Sequence, residues 1–422
     1  MTRRFLKMVG LTAAITAVIV LLKLAPIPIA GQAPAAKATA GAADKPGPAP
    51  KTPWGEPDLQ GIWTNENDIP LERPAHLGNK EFFTDEERAE LDRRRAGILG
   101  EDRRSAHKSE QDVGGAYNAA IFMTHKRTGR RTSLIVDPPD GRIPPLTPEA
   151  TKRRDAYREY QLALLQPTDV CKNNRPECAG GKYGPPSSRR SEPPPLYPAT
   201  GAAGGGSINR AFGPEDRGLS ERCMAARLPD FGGATGFFLR IVQSPRTVSI
   251  FYDTGQGQGW QRLIPVTDRP HLPSHVRQWW GDSRGRWDGD TLVVDVTNFT
   301  PKTDFQWSRE NLHLIERWRR VDEKTVEYTV TMEDPTTWAR SWTAKQELSK
   351  QSDQANRVYY EPRCHEGNYG MPAMLQGARA EEKAFAQRRG PDPATLCTAG
   401  CGGFEIPGAT NIRLDSPSAD GR

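Results

Sequence analysis

Hydrophobic and polar positions alternate most cleanly in the second half of the chain. Val326, Tyr328, Val330 and Met332 fall on one face of a strand and Glu327, Thr329 and Thr331 on the other, the period of two expected of a strand with one wet face. Related runs predict strands at about 237–243, 246–252, 260–266, 291–299, 312–321, 325–332, 341–349 and 357–362. Short turns such as Ser244-Pro245-Arg246 and Asp322-Glu323-Lys324 join them. In the segment Gly285–Phe299, Asp288-Gly289 signals a tight hairpin. After it, Leu292, Val294 and Val296 share one face, and Val293, Asp295, Thr297 and Phe299 the other. About eight sequential antiparallel strands remove their exposed edges most simply by closing. The expected fold class is therefore mainly β (α+β): an antiparallel meander forming a barrel or strongly bent sheet, with a few peripheral helices and long loops.

Upstream the periodicity is weaker and punctuation carries the prediction. Pro57 to Thr64 opens as a short strand. Thr84-Asp85-Glu86-Glu87 is a capping box, predicting a helix to about Leu99. Arg131 to Val136 reads as a strand, and Thr147-Pro148 starts a second helix ending near Leu165. A last helix is expected from Gly377 to Arg388. The chain thus divides into an N-terminal α/β region packing on the core (53–166), a Pro/Gly-rich irregular excursion (167–220), an antiparallel β core with a terminal helix (221–388) and a tail (389–422). Gly and Pro number 40 and 37 of 422 residues, well above average usage of about 12% together, which fits this share of loop.

The N-terminus changes the picture of destination. Arg3, Arg4 and Lys7 precede an uncharged, mostly apolar run from Val9 to Leu22, the layout of a secretory signal in residues 1–30. The alternative is an uncleaved N-terminal anchor; once the signal is removed no membrane span is expected. Residues 31–52, rich in Ala, Pro and Gly, form a flexible linker. The formal net charge of +6 falls to +2 without the four basic residues of the signal, and basic and acidic residues are interspersed. No nucleic-acid partner follows, because phosphate backbones need clustered positive charge. An exported protein, periplasmic or extracellular, also accounts for six cysteines as disulfides. Cys171 with Cys178, Cys397 with Cys401, and Cys223 with Cys364 is one of 15 possible pairings.

Each candidate chemistry has a plainer alternative. Gly281-Asp282-Ser283-Arg284-Gly285 matches G-x-S-x-G, but the nucleophile elbow sits between a strand and a helix, whereas a hairpin follows here. His365-Glu366 lacks the second histidine of a zinc protease, since Tyr369 stands in its place. No motif calls for a metal or cofactor. Asp295 and Glu316 fall on strands among apolar neighbours, and His313 lies close by in sequence. As paired carboxylates in a barrel interior, Asp295 and Glu316 could divide acid and base roles; the plainer alternative pairs Glu316 with Arg240, Arg284 or Arg286. Trp279, Trp280, Arg284, Arg286, Trp287 and His365 are candidate ligand contacts, with core packing as the alternative for the tryptophans.

Three segments carry a resemblance: Thr132–Arg142, Gly281–Asp295, and Cys364–Gly370 with Gly377–Glu382. They look like a widespread family of uncharacterised exported bacterial proteins, a likeness that implies export and supplies no activity. Gly61-Ile62-Trp63 is also similar to the G-x-W that opens lipocalin strands, implying by calycin-like analogy a Trp at the barrel base. The expected function is binding of a small polar or aromatic molecule in a β-barrel-like domain. The alternatives are a cofactor-free hydrolase or isomerase using carboxylate/His chemistry, and a structural envelope protein.

Overall fold

A computed structural model describes residues 50–65, 67–100, 127–198, 208–219, 221–224, 228–232, 238–255, 258–351 and 364–397. The expected signal, the strand expected at 357–362 and most of the tail lie outside the described residues. Twelve strands are present among those described: β1 (Gly61–Thr64), β2 (Asn67–Asp68), β3 (Arg127–Thr128), β4 (Ile135–Asp137), β5 (Phe238–Ser244), β6 (Thr247–Gly255), β7 (Gln258–Pro265), β8 (Asp282–Asp288), β9 (Thr291–Thr297), β10 (His313–Arg320), β11 (Thr325–Glu333) and β12 (Trp342–Lys350). The helices are α1 (Asp85–Gly100), α2 (Pro148–Leu165), α3 (Asp169–Lys172), α4 (Cys364–Gly367) and α5 (Gly370–Ala386).

Ten strands form one sheet, ordered β7-β6-β5-β1-β12-β11-β10-β9-β8, with β4 also pairing β12. Every pairing within it is antiparallel. The two ends of that order meet at a parallel bridge, Val266 with Gly285, where the amide of Thr267 donates to the Gly285 carbonyl at 2.9 Å. The sheet is therefore a nearly closed barrel. Gly285 permits the approach, since a Cβ there would lie 3.0 Å from Ile264. The two long meanders follow the sequence pattern, whereas β1 inserts between β5 and β12, a long-range pairing that no local periodicity encodes.

Period-two alternation fills the barrel. Leu292, Val294 and Val296 of β9, Leu314 and Trp318 of β10, and Val326, Tyr328, Val330 and Met332 of β11 are all buried in one core. The β8–β9 hairpin closes at the pair Asp288–Thr291, and Gly289 takes the positive φ (58°) that a two-residue loop demands. Within the core Trp63 is fully buried. Its indole donates to the Leu59 carbonyl, and the Arg320 guanidinium lies 5.3 Å above its ring.

The periphery is held by caps and ion pairs. Thr147 accepts from the Ala150 amide and donates to the Thr336 carbonyl, so one residue starts α2 and docks it on the turn after β11. The excursion after α2 contains α3 and several 3-10 turns. It is tied by the Cys171–Cys178 disulfide and by buried Arg210, which pairs with Asp216 and donates to Tyr160. Cys223 and Cys397 are also disulfide-bonded, and their expected partners, Cys364 and Cys401, have side chains outside the described residues. The terminal helix starts seven residues earlier than the sequence suggested, at Gly370. No described helix is long and apolar enough to cross a membrane.

Candidate functional site

Strand register decides which polar residues meet. Asp295 pairs across β9–β8 with Arg284 and across β9–β10 with Ile315, and His313 pairs with Glu333 on β11. All of these side chains leave the outer face of the barrel, because the inner positions of β9 and β10 are Val294, Val296, Leu314 and Glu316. Asp295 and His313 are diagonal neighbours there, within reach of one another.

The segment between β7 and β8 supplies the remaining member. It crosses the same outer face, fixed where Asn298 donates to the carbonyls of Leu272 (2.9 Å) and Pro273 (3.2 Å) and where the Leu272 amide donates to Asp282 (3.0 Å). His271, flanked closely by Pro270 and Pro273, is thereby held over Asp295. Its Nε2 is 2.9 Å from Asp295 Oδ1 and its Nδ1 is 2.8 Å from Asp282 Oδ2. His313 mirrors it, with Nε2 3.1 Å from Asp295 Oδ2 and Nδ1 2.9 Å from Glu333. Asp282 is buried and also accepts from Arg284 at 2.7 Å. The result is a continuous chain Arg284–Asp282–His271–Asp295–His313–Glu333.

Proton accounting gives this chain its character. A neutral imidazole offers one N–H and one lone pair, yet both nitrogens of each histidine face carboxylate oxygens. Either the ring is an imidazolium or one of its carboxylates carries the proton. With both rings charged, they and Arg284 balance the three carboxylates. The hydrogen bond to Asp295 is the largest cause that raises the His313 pKa above its ordinary value, aided by Glu333 and opposed by burial. Reciprocally, the bond from His313 and then that from His271 hold Asp295 below the usual carboxylate range. Asp295 nonetheless keeps 45% of its side-chain surface exposed, so solvent and small solutes reach it.

The expectation of paired carboxylates is corrected. Glu316 is fully buried inside the barrel, on the opposite face from Asp295. Its partner is not Arg240, Arg284 or Arg286 but Arg262 of β7, 2.6 Å away. Tyr328 donates to its other oxygen at 2.8 Å. Arg262 also donates to Ser283 Oγ at 2.9 Å, which leaves that hydroxyl buried on a strand rather than poised as a nucleophile. Burial raises the Tyr328 hydroxyl pKa well above its usual value, and the Glu316 charge adds to this.

The other candidates separate. Trp280 packs against Tyr252 and Trp260, with centroids 5.2 and 6.2 Å away, and Trp287 packs on the core. Trp279 is half-buried in the same segment. Arg286 is exposed on β8, and His365 is exposed on α4; among the described residues neither joins the histidine–carboxylate chain. Sequence reasoning missed His271, Asp282 and Glu333. Asp282 follows Gly281, whose φ of +67° turns the chain into β8, and a histidine set between prolines just upstream of an acid-bearing hairpin was the available signal.

No family model and no curated protein matches the chain. Among solved structures it is similar to a secretary abundant heat soluble (SAHS) protein from Ramazzottius varieornatus. That likeness covers 32% of this chain and 82% of the other, at 15% identity and a TM-score of 0.21. A similarity at this level carries no argument about function.

Proposed function

We propose that the protein is a cofactor-free enzyme that transfers protons on a small polar molecule, as a hydrolase or isomerase, at the outer wall of its barrel. The observation that carries this is Asp295 held between the Nε2 atoms of two histidines and open to solvent. General acid–base catalysis needs a donor and an acceptor side by side within hydrogen-bond reach of a substrate. Here the His313 imidazolium, favoured by Asp295 and Glu333, can give a proton and Asp295 can take one. Asp282 and Glu333 orient the rings, as a carboxylate behind an imidazole does in acid–base relays. The described interior is occupied by side chains and the Arg262–Glu316 pair, so the small molecule expected at the barrel is assigned to its wall. Disulfide bonding is compatible with export, and membership of the exported bacterial family, with cleavage of residues 1–30, is part of the same proposal.

The test is deuterium uptake from D2O, or bond cleavage, in a panel of ketoses, hydroxy acids, lactones and esters, followed by proton NMR. Turnover of a panel member by the parent protein should fall by a factor of about a hundred or more in Asp295→Asn and His313→Gln, with folding retained. Turnover that survives both substitutions, or a panel left untouched by the parent, overturns the assignment. Turnover abolished by chelators and restored by a metal ion would replace it with a metal enzyme.

A further inference from the structure

Asp295 meets the proton chain on one side only. Arg284 and Ile315 stand directly across from it on β8 and β10, so its diagonal neighbours are Asp282 and His313 towards the chain, and Arg286 and Arg317 away from it. Those two arginines flank Val293 in one row across the three strands. Diagonal neighbours lie about 7–8 Å apart, within reach of a long side chain. Val293 shares the outward face of β9 with Asp295 yet is 2% exposed, as aliphatic stems laid along the wall on either side of it would leave it.

The guanidinium groups of this wall differ in how far they are engaged. Arg284 donates to Asp282 at 2.7 Å, to the Ser283 carbonyl at 2.9 Å and to the Pro270 carbonyl at 3.3 Å, which fixes it within the chain. Arg286 is exposed and makes no ion pair or hydrogen bond among the described residues. Arg317 has Asp288 at 3.5 Å, both of them exposed, a pairing worth at most about 1 kcal/mol in water. Asp288 thus offsets one of the two charges, and Asp290 lies on the turn beyond β8. With both histidine rings charged the proton chain balances within itself, and Arg286 is left as the unmatched charge, at the surface and beside Asp295.

We infer that the molecule taken up at this wall is a small anion, its carboxylate or phosphate held by Arg286 with Arg317 as the second donor, and its reacting atom over Asp295. This rests on the proton-transfer reading of the site and adds the substrate class to it. One two-residue step along β9 is about 6.7 Å, which places the anionic group about five bonds from the reacting atom.

Binding read from the His313 ring resonances by NMR requires no turnover. The full chain at low salt is titrated with ribulose 5-phosphate against ribulose, and with levulinate against butanone. At least one anion is expected to bind ten-fold or more tighter than its neutral counterpart, and the pair with the larger difference names the phosphate or the carboxylate. Arg286→Met, at an exposed position, should cut that advantage ten-fold or more, the loss of one charge-assisted hydrogen bond. Equal binding of anion and neutral counterpart, no anion bound below about 10 mM, or an advantage unchanged in Arg286→Met each overturns the inference. An anion bound in this Arg286-dependent way but left unreacted upholds the anion site and overturns the proton-transfer reading; turnover of neutral molecules alone, independent of Arg286, does the reverse.

Discussion

Replacing Arg262 by Met would strand Glu316 in the barrel core. In the native protein the two side chains are 2% and 0% exposed. Glu316 has two partners, Arg262 and Tyr328, while Arg262 also serves Ser283 and Tyr252. Removing one partner of a buried ion pair costs about 3–5 kcal/mol, because the remaining charge is uncompensated. The double substitution Arg262→Met with Glu316→Leu removes that charge. It still forfeits the bonds to Ser283, Tyr252 and Tyr328, each worth about 1 kcal/mol, partly offset by apolar side chains that need no partner. The double variant should therefore lie within about 2 kcal/mol of the parent and be more stable than Arg262→Met by about 1 kcal/mol or more. Urea denaturation followed by tryptophan fluorescence measures all of these, Trp318 lying 4.1 Å from the Tyr328 ring. A cost below about 1 kcal/mol for Arg262→Met, or single-variant costs that simply add, would refute the view that Glu316 is a closed structural charge.

Two further predictions concern the outer wall. The His313 pKa is raised above its ordinary value of 6.5, so its contribution to stability is complete below that value and is lost as pH rises through the folded pKa. The Asp295 pKa is lowered from 3.8, so its contribution is complete above that value and is lost as pH falls through the folded pKa. The pair therefore stabilises most between about pH 3.8 and 6.5. Histidine NMR titration should show the His313 midpoint moving down in Asp295→Asn; an unmoved midpoint would contradict the bonding described. Gly281→Ala should cost about 2 kcal/mol or more, since its φ is +67° and a Cβ would lie 2.6 Å from the Thr297 carbonyl. A fall in the His313 midpoint as well would show that this turn helps to position the wall, whereas a melting temperature equal to the parent's would exclude strain there.

The legible parts of this molecule were those decided within a few residues. Strand β11 declared itself by strict alternation, α2 by Thr147-Pro148, and the β8–β9 hairpin by Asp288-Gly289. Glu316 stood out as an acid between Leu314 and Trp318, but its partner lies 54 positions away, on a strand brought near by barrel closure. Arg262 was further hidden by ambiguous phase: in Trp260-Gln261-Arg262-Leu263-Ile264 the leucine is 62% exposed and the arginine faces in. A burial-based reading assigns those two the other way round. The same limit applies to the outer wall. Asp295 and His313 were visible as candidates, while His271 entered through a segment whose path is set by Asn298 and Asp282 rather than by any repeat.

The Val266–Gly285 contact has a mechanical implication. Each hairpin of the wall is laced by a ladder of amide bonds, but the join between first and last strands in the sheet order is a seam that holds, among the described residues, by one isolated bridge and the side-chain bonds of Arg262 to Ser283. The segment bearing His271 springs directly from that seam. Because Leu272 and Pro273 are bonded to Asp282 and Asn298, a fluctuation that parts the seam leaves His271 with β8 and β9. The proton chain therefore rides with β8 and β9 when the seam opens, and amide exchange at Thr267 should report on the seam alone.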